Sequence, residues 1–301
     1  MTATLEPEAS IDADVATPEF EAAREQQKRR QGLFMALPAY LYLFVFFVIP
    51  LVIVIVYSFA TRTRFGTELS GWNIDSYRRL GDPLVRDILL RSTTLAVITT
   101  LICLLLAYPF AYYMSTRSEK TRNLMLVFVM IPFWTNFLVR NYAWRVILGS
   151  DGPYSRLSEA IGFGEGRLLF TNVAVILGLV YGFLPFMILP LYAAIERIDG
   201  RLLEASRDLY ASGFQSFRHV LLPLSMPGVV AGSILVFVPS LGAYVTPAIL
   251  GGAKTTLLGS YIVTQFLSAR DWPFGAALSF VLMAVMLTST IVYFRKGGRT
   301  L

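Results

Sequence analysis

The sequence predicts an all-α membrane protein with six transmembrane helices, and three observations carry that reading. Hydrophobic residues make up 55% of the 301 and charged residues 15%, with a mean hydropathy of +0.59, which is too apolar for an ordinary soluble domain. Six apolar runs, at about 33–60, 92–114, 123–148, 171–195, 226–250 and 274–294, each reach the roughly 20 residues that a helix needs to cross a bilayer. The charge is concentrated between them, as expected where loops return to water.

Taken in order, residues 1–31 are acidic first (Glu6, Glu8, Asp12, Asp14) and then basic (Lys28, Arg29, Arg30). They show no apolar period and read as a disordered tail. The first apolar run is too long for a signal-peptide core and lacks a small-residue cleavage site. A membrane domain is expected over 32–295, followed by a short tail at 296–301. The second run is the richest in threonine and the fifth the most broken. With the N-terminus inside, the inner segments hold fourteen Lys and Arg against ten in the outer ones. The short loop 115–122 (Arg117, Lys120, Arg122) and the tail residues Arg295, Lys296 and Arg299 give that bias its cleaner part. Both termini are therefore expected in the cytoplasm. The outer segment 61–91, with Trp72, six arginines and Asp75, Asp82 and Asp87, is expected to hold a short helix near the headgroups. The net charge of +6 is accounted for by cationic inner loops and calls for no nucleic acid. The one cysteine, Cys103, sits inside an apolar run, so neither a disulfide framework nor a cysteine metal site is expected.

The longest charged and periodic interval is 195–228, IERIDGRLLEASRDLYASGFQSFRHVLLPLSMPG. Apolar residues recur at helical spacing: Leu202, Leu203, Leu209 and Tyr210, then Phe214, Phe217, Val220 and Leu221. Arg201, Glu204, Arg207 and Asp208 fall on the other side of the first segment. The pattern predicts two short amphipathic helices. Asp199 is placed to cap the first and Ser212 the second, and Pro223 is expected to stop the second. His219, the only histidine, reads as an ordinary helix residue. Two readings fit such a pair: a docking element for a soluble partner, or a pair of helices lying flat on the membrane.

This interval resembles the cytoplasmic loop of ABC-importer permeases, which reads Glu-Ala-Ala, three residues, Gly, nine residues, then Ile-x-Leu-Pro. Glu204, Ala205, Ser206, Tyr210, Val220, Leu222 and Pro223 stand at those spacings. Ser206 replaces an alanine and Tyr210 replaces the glycine, where a backbone bend is normally needed. Gly213 is the residue expected to take over that bend. Three further stretches, PFWTNFLVRNYAW (132–144), LGGAK (250–254) and RDWPFGAALS (270–279), are similar to the permease subunit of spermidine/putrescine-type importers. The resemblance runs from about residue 33 to 295. It implies a type I (MetI-like) permease of the bacterial inner membrane, paired with a second permease. It also implies two ATPase subunits that bind ATP and Mg, and an extracytoplasmic binding protein that delivers polyamine. By the same resemblance, Leu203, Glu204, Ala205, Ser206, Leu209, Tyr210, Gly213 and Phe214 form the coupling surface for the ATPase. Segment 61–91 is then either a helix packed on the spans or part of the surface that meets the binding protein.

Polar groups inside a membrane are costly and so point to transport. In the third run, Asn136, Arg140 and Trp144 recur at i, i+4 and i+8 and are expected on one face. That face either lines a pathway or positions Arg140 against a neighbouring carbonyl or acid. Trp144 and Arg145 also suit the membrane interface. In the fifth run, Pro239 and Gly242 are expected to break the helix and Pro247 to end it, leaving Ser240, Tyr244 and Thr246 to line a cavity. None of the six runs has an interior Asp or Glu, so a polycation would meet aromatic faces such as Trp134, Tyr142 and Tyr244. Arg140 and Arg145 would suit an anion or a chelated metal instead. GGAKTT at 251–256 lacks the Gly-Lys-Ser/Thr of a phosphate loop. No catalytic constellation appears, so no enzyme is expected and no cofactor is assigned to this chain. An ion-coupled secondary transporter would require buried acids and inverted repeats, and neither is seen.

Overall fold

The computed structural model describes residues 35–62, 70–161, 168–252 and 255–297. The expected tail 1–31, Arg64, Lys254 and Arg299 lie outside them. The chain divides into two compact units, Met1–Val54 and Ile55–Leu301. Helix α1 (Met35–Ser58) contains one π-helical turn at Phe44–Val48, and its apolar side chains up to Val54 are mostly exposed.

The second unit begins with a short antiparallel pair, β1 (Ala60–Thr61) and β2 (Ser70–Trp72), a small departure from the all-helical expectation. Helix α2 (Asp75–Arg79) is a short helix within 61–91, where one is expected. Helix α3 (Pro83–Ser115) follows and begins nine residues earlier than the apolar run. Its 33 residues rise about 50 Å, well beyond a hydrocarbon core of roughly 30 Å, so its first turns stand outside.

The third run is not one helix. It is α4 (Glu119–Trp134) and α5 (Phe137–Ile147), bent by 90° at Thr135–Asn136. Thr135 is extended, and the Asn136 side chain caps α5 by accepting from the Leu138 N–H at 2.8 Å. The apolar run continues across the break because lipid and protein both accept it, so composition alone hides the bend. Helix α6 (Pro153–Ala160) is a second short helix between spans, and α7 (Asn172–Glu196) is the fourth span.

Helix α8 (Gly200–Asp208) is the first helix of the amphipathic interval. The second does not stop at Pro223. It runs on as α9 (Gly213–Leu241) through a π-helical turn at Phe217–Leu221. There the Leu222 N–H reaches the Phe217 carbonyl five residues back, and this wider turn precedes the proline that lacks a donor. The fifth span ends at Leu241, capped by Gly242, and not at 250. Pro247 opens a π-helical turn, Pro247–Gly251, and does not end the span. Helix α10 (Leu258–Leu267) is too short to span, and α11 (Trp272–Gly297) is the sixth span.

The core is a three-helix packing of α3, α7 and α9. Cys103, Ala107, Ala111 and Met114 of α3 meet Met187, Leu191 and Ile195 of α7, and Leu221, Val229 and Val236 of α9. Between helices in lipid, close approach replaces the hydrophobic drive, so small residues mark the contact. A Cβ on Gly228 of α9 would sit 2.5 Å from the Ala194 Cβ and 2.8 Å from the Pro190 carbonyl of α7. Only glycine lets the two backbones meet there.

Candidate functional site

The amphipathic interval folds as a capped corner. Asp199 accepts from the Arg201 N–H at 3.0 Å and starts α8. At the other end the Tyr210 N–H donates to the Arg207 carbonyl (2.9 Å) and the Ala211 N–H to the Ser206 carbonyl (3.1 Å). This is the Schellman pattern, which needs a left-handed residue in the position that Tyr210 occupies. Tyr210 adopts φ +60°. The tyrosine therefore makes the bend itself, at a strain of roughly 1 kcal/mol that a glycine would not carry. Gly213 does not take the bend over; it is the first helical residue of α9. Ser212 and Gln215 then form a reciprocal cap: the Gln215 N–H donates to Ser212 Oγ (3.3 Å), and the Ser212 N–H to Gln215 Oε1 (2.8 Å).

The corner is held from inside by polar groups and shows apolar groups outside. The Ser206 and Ser216 hydroxyls are buried and hydrogen-bonded at 2.7 Å, joining α8 to α9. Leu203 packs inward on the core. Leu209 is 82% exposed, Tyr210 97% and Phe214 69%, while Glu204 and Ala205 are open and Glu204 makes no ion pair among the described residues. The Arg122–Glu196 ion pair (2.8 Å) ties the start of α4 to the end of α7.

The transport candidates are arranged differently. Trp134 ends α4 and is exposed. Asn136 is occupied as the cap of α5, and Arg140, one turn on, has a buried Nε without a hydrogen-bond partner. Its guanidinium carbon lies 5.8 Å from the centre of the Phe137 ring. Tyr142 is exposed, and Trp144 packs edge-on against Tyr181 at 5.6 Å. Ser240 and Thr246 are buried. Thr246 lies against α7 at Gly178, and only Tyr244 of the three is open. The Gly242 and Ala243 carbonyls at the end of α9 press so closely on Gly259 of α10 that no Cβ fits there.

One cluster joins the 270–279 stretch to segment 61–91, and neither stretch on its own marks it as a site. Asp271 is 1% exposed and holds Arg79 at 2.7 Å and Arg62 at 3.6 Å. It also accepts from the Phe274 N–H at 3.2 Å at the start of α11, and Arg79 lies over the Phe274 ring at 3.9 Å. The Asp-Trp-Pro order at 271–273 is a helix-start signal that could have marked Asp271 as a cap. Among the described residues no group of three or more His, Cys, Asp or Glu is placed to hold a metal.

Among the described residues, five helices long and apolar enough to span, six with the bent pair, and a capped loop that presents unburied apolar residues define a multi-pass membrane protein of the permease class. The pattern of the binding-protein-dependent transport system inner membrane components matches residues 104–295, and the chain belongs to that family. It is 44% identical over 242 residues to the spermidine/putrescine transport system permease protein PotB of Escherichia coli K12, covering 80% of this chain and 88% of that one. The permease of the same name from Haemophilus influenzae is 46% identical over 242 residues, covering 80% and 85%. In fold, the chain is similar to a bacterial ABC transporter involved in the import of the acidic polysaccharide alginate. The TM-score is 0.75 at 17% identity, covering 92% of this chain and 99% of that one. The chain is thus a multi-pass inner-membrane permease component of a binding-protein-dependent importer.

Proposed function

We propose that this chain is the permease subunit of an ATP-driven polyamine importer of the spermidine/putrescine kind. In this reading it pairs with a second permease, both of its termini are cytoplasmic, and two ATPase subunits dock on the 195–228 loop. The observation that carries the proposal is the loop itself: a rigid, doubly capped corner with Leu209, Tyr210 and Phe214 unburied, on a chain that shares 44–46% of its aligned residues with spermidine/putrescine permeases. ATP and Mg belong to the ATPase subunits, and this chain supplies no cofactor. When the ATPases close, they move α8 and the start of α9 as one body. Closure biases the permease pair toward the outward-facing state only in proportion to the difference in affinity for the two states.

The polycation would meet aromatic faces before acids. Trp134, Tyr142 and Tyr244 are all exposed in this chain, and such faces attract ammonium groups. Carboxylates from the second permease or the binding protein would complete the path. The test is uptake of labelled spermidine and putrescine by the native host with the chain deleted and then restored. Uptake that disappears and returns with the chain supports the proposal. Polyamine uptake that survives deletion, while uptake of an anionic or metal-chelate solute is lost, sinks the substrate and leaves the permease role standing.

A further inference from the structure

A groove of about 900 Å³ runs along α3 and ends against the amphipathic corner. Its walls are Leu101, Leu105, Tyr108 and Tyr112 of α3, with Phe217 beneath, and Arg207 is its one charged residue. Arg207 pairs with no carboxylate among the described residues, and neither Glu204 nor Asp208 lines the groove. Residues 101–112 rise about 16 Å along the helix, which is half of a hydrocarbon core of roughly 30 Å. A transmembrane helix from a partner would overrun such a groove; a molecule confined to one leaflet would not. Leu105, in the wall, is 74% exposed, so the groove opens sideways from α3.

We infer that the groove seats one anionic phospholipid of the inner leaflet, with an acyl chain along Leu101–Tyr112 and the phosphate on Arg207. The inference rests on the cytoplasmic placing of the 195–228 loop proposed above. A headgroup held by Arg207 sits two residues before Leu209, so the lipid ties the position of α8 to the composition of the membrane. Basic positions at the inner face between spans are where anionic headgroups bind, and one arginine contributes a roughly fivefold preference.

The intact transporter, purified with the subunits that accompany this chain, is stripped with detergent and titrated with phosphatidylglycerol or phosphatidylcholine of identical acyl chains. Bound lipid is then counted by native mass spectrometry. Wild type is expected to retain phosphatidylglycerol about fivefold better than phosphatidylcholine, Arg207→Ala to lose that preference, and Arg207→Lys to keep most of it. Leu105→Trp, which fills the groove, should lower retention of both lipids. Equal retention of the two lipids by wild type, or an unchanged preference in Arg207→Ala, overturns the inference. A cross-link from Leu105→Cys to a second permease overturns it too, because a protein then fills the groove. Lipid counts do not depend on which solute is carried, so this test can fail while polyamine uptake succeeds, and the reverse.

Discussion

The two ends of the bundle treat polar groups in opposite ways. At the end where α11 begins, Asp271 is buried and its charge is consumed within the chain. It caps α11, binds Arg79 and Arg62, and fastens α2 to the last span. At the amphipathic corner the buried groups are neutral hydroxyls, Ser206 and Ser216, and the large apolar residues are outside. The first region is complete in this chain. The second is inverted, and this chain leaves its apolar residues uncovered, as surfaces that meet another molecule or the membrane do. The difference separates residues that hold the fold from residues available to a partner.

Substitutions should divide along the same line. The largest effect is expected from Asp271→Ala. It removes a buried carboxylate, its cap bond and the partner of two arginines; because both arginines are partly exposed and regain water, the loss should be about 2–3 kcal/mol. Thermal unfolding of the purified chain reads it as a lower midpoint. If Asp271→Ala unfolds like wild type, the Asp271 cluster is not a fastener and the contrast fails. Next comes Phe214→Ala combined with Leu209→Ala. Neither side chain is buried, so unfolding should not change, while affinity for the ATPase should fall by about 1–2 kcal/mol, roughly tenfold. A lower unfolding midpoint with unchanged ATPase capture would reverse the assignment.

Glu204→Lys should lower coupled uptake by roughly fivefold, as expected of a charge reversed at an interface, with membrane insertion intact. Normal uptake would remove Glu204 from the docking surface. The smallest effect is expected at Tyr210. Tyr210→Gly relieves the left-handed strain and loses almost no packing, so stability should rise by at most about 1 kcal/mol, offset in part by the freer unfolded chain. Tyr210→Val should go the other way, since a branched Cβ suits that backbone least. Equal stability of all three would mean that the corner is not set by this residue.

Local signals were legible because they act over one turn. Asp199 and Ser212 cap as their spacing predicts, and the position where the importer pattern carries glycine is indeed left-handed, although tyrosine fills it. The places where the reading failed share a cause. The 90° bend at Thr135–Asn136, the early end of the fifth span and the helix that continues through Pro223 all lie in apolar sequence. There, hydropathy reports that a segment is buried in something without saying in what shape. Proline at 223 and 247 is a stop signal in sequence, but Pro223 follows a π-helical turn and Pro247 opens one, and these turns redistribute the backbone bonds.

By itself the sequence determined what accumulates from neighbours along the chain. The apolar runs place the membrane helices, side-chain oxygens beside free amides place the caps, and the loop spacing points to the permease family. The tertiary structure alone decided what depends on residues far apart. Arg62 and Asp271 are separated by most of the chain, Ser206 and Ser216 by a corner, and the groove at Arg207 exists only once α3 lies beside the start of α9. Hydrophobic burial has no direction, so a sequence can state that a helix is apolar without stating which neighbour covers it. A charge or a hydroxyl must find one particular partner, and only the packed chain shows which polar groups have theirs and which, like Arg207, still face an open groove.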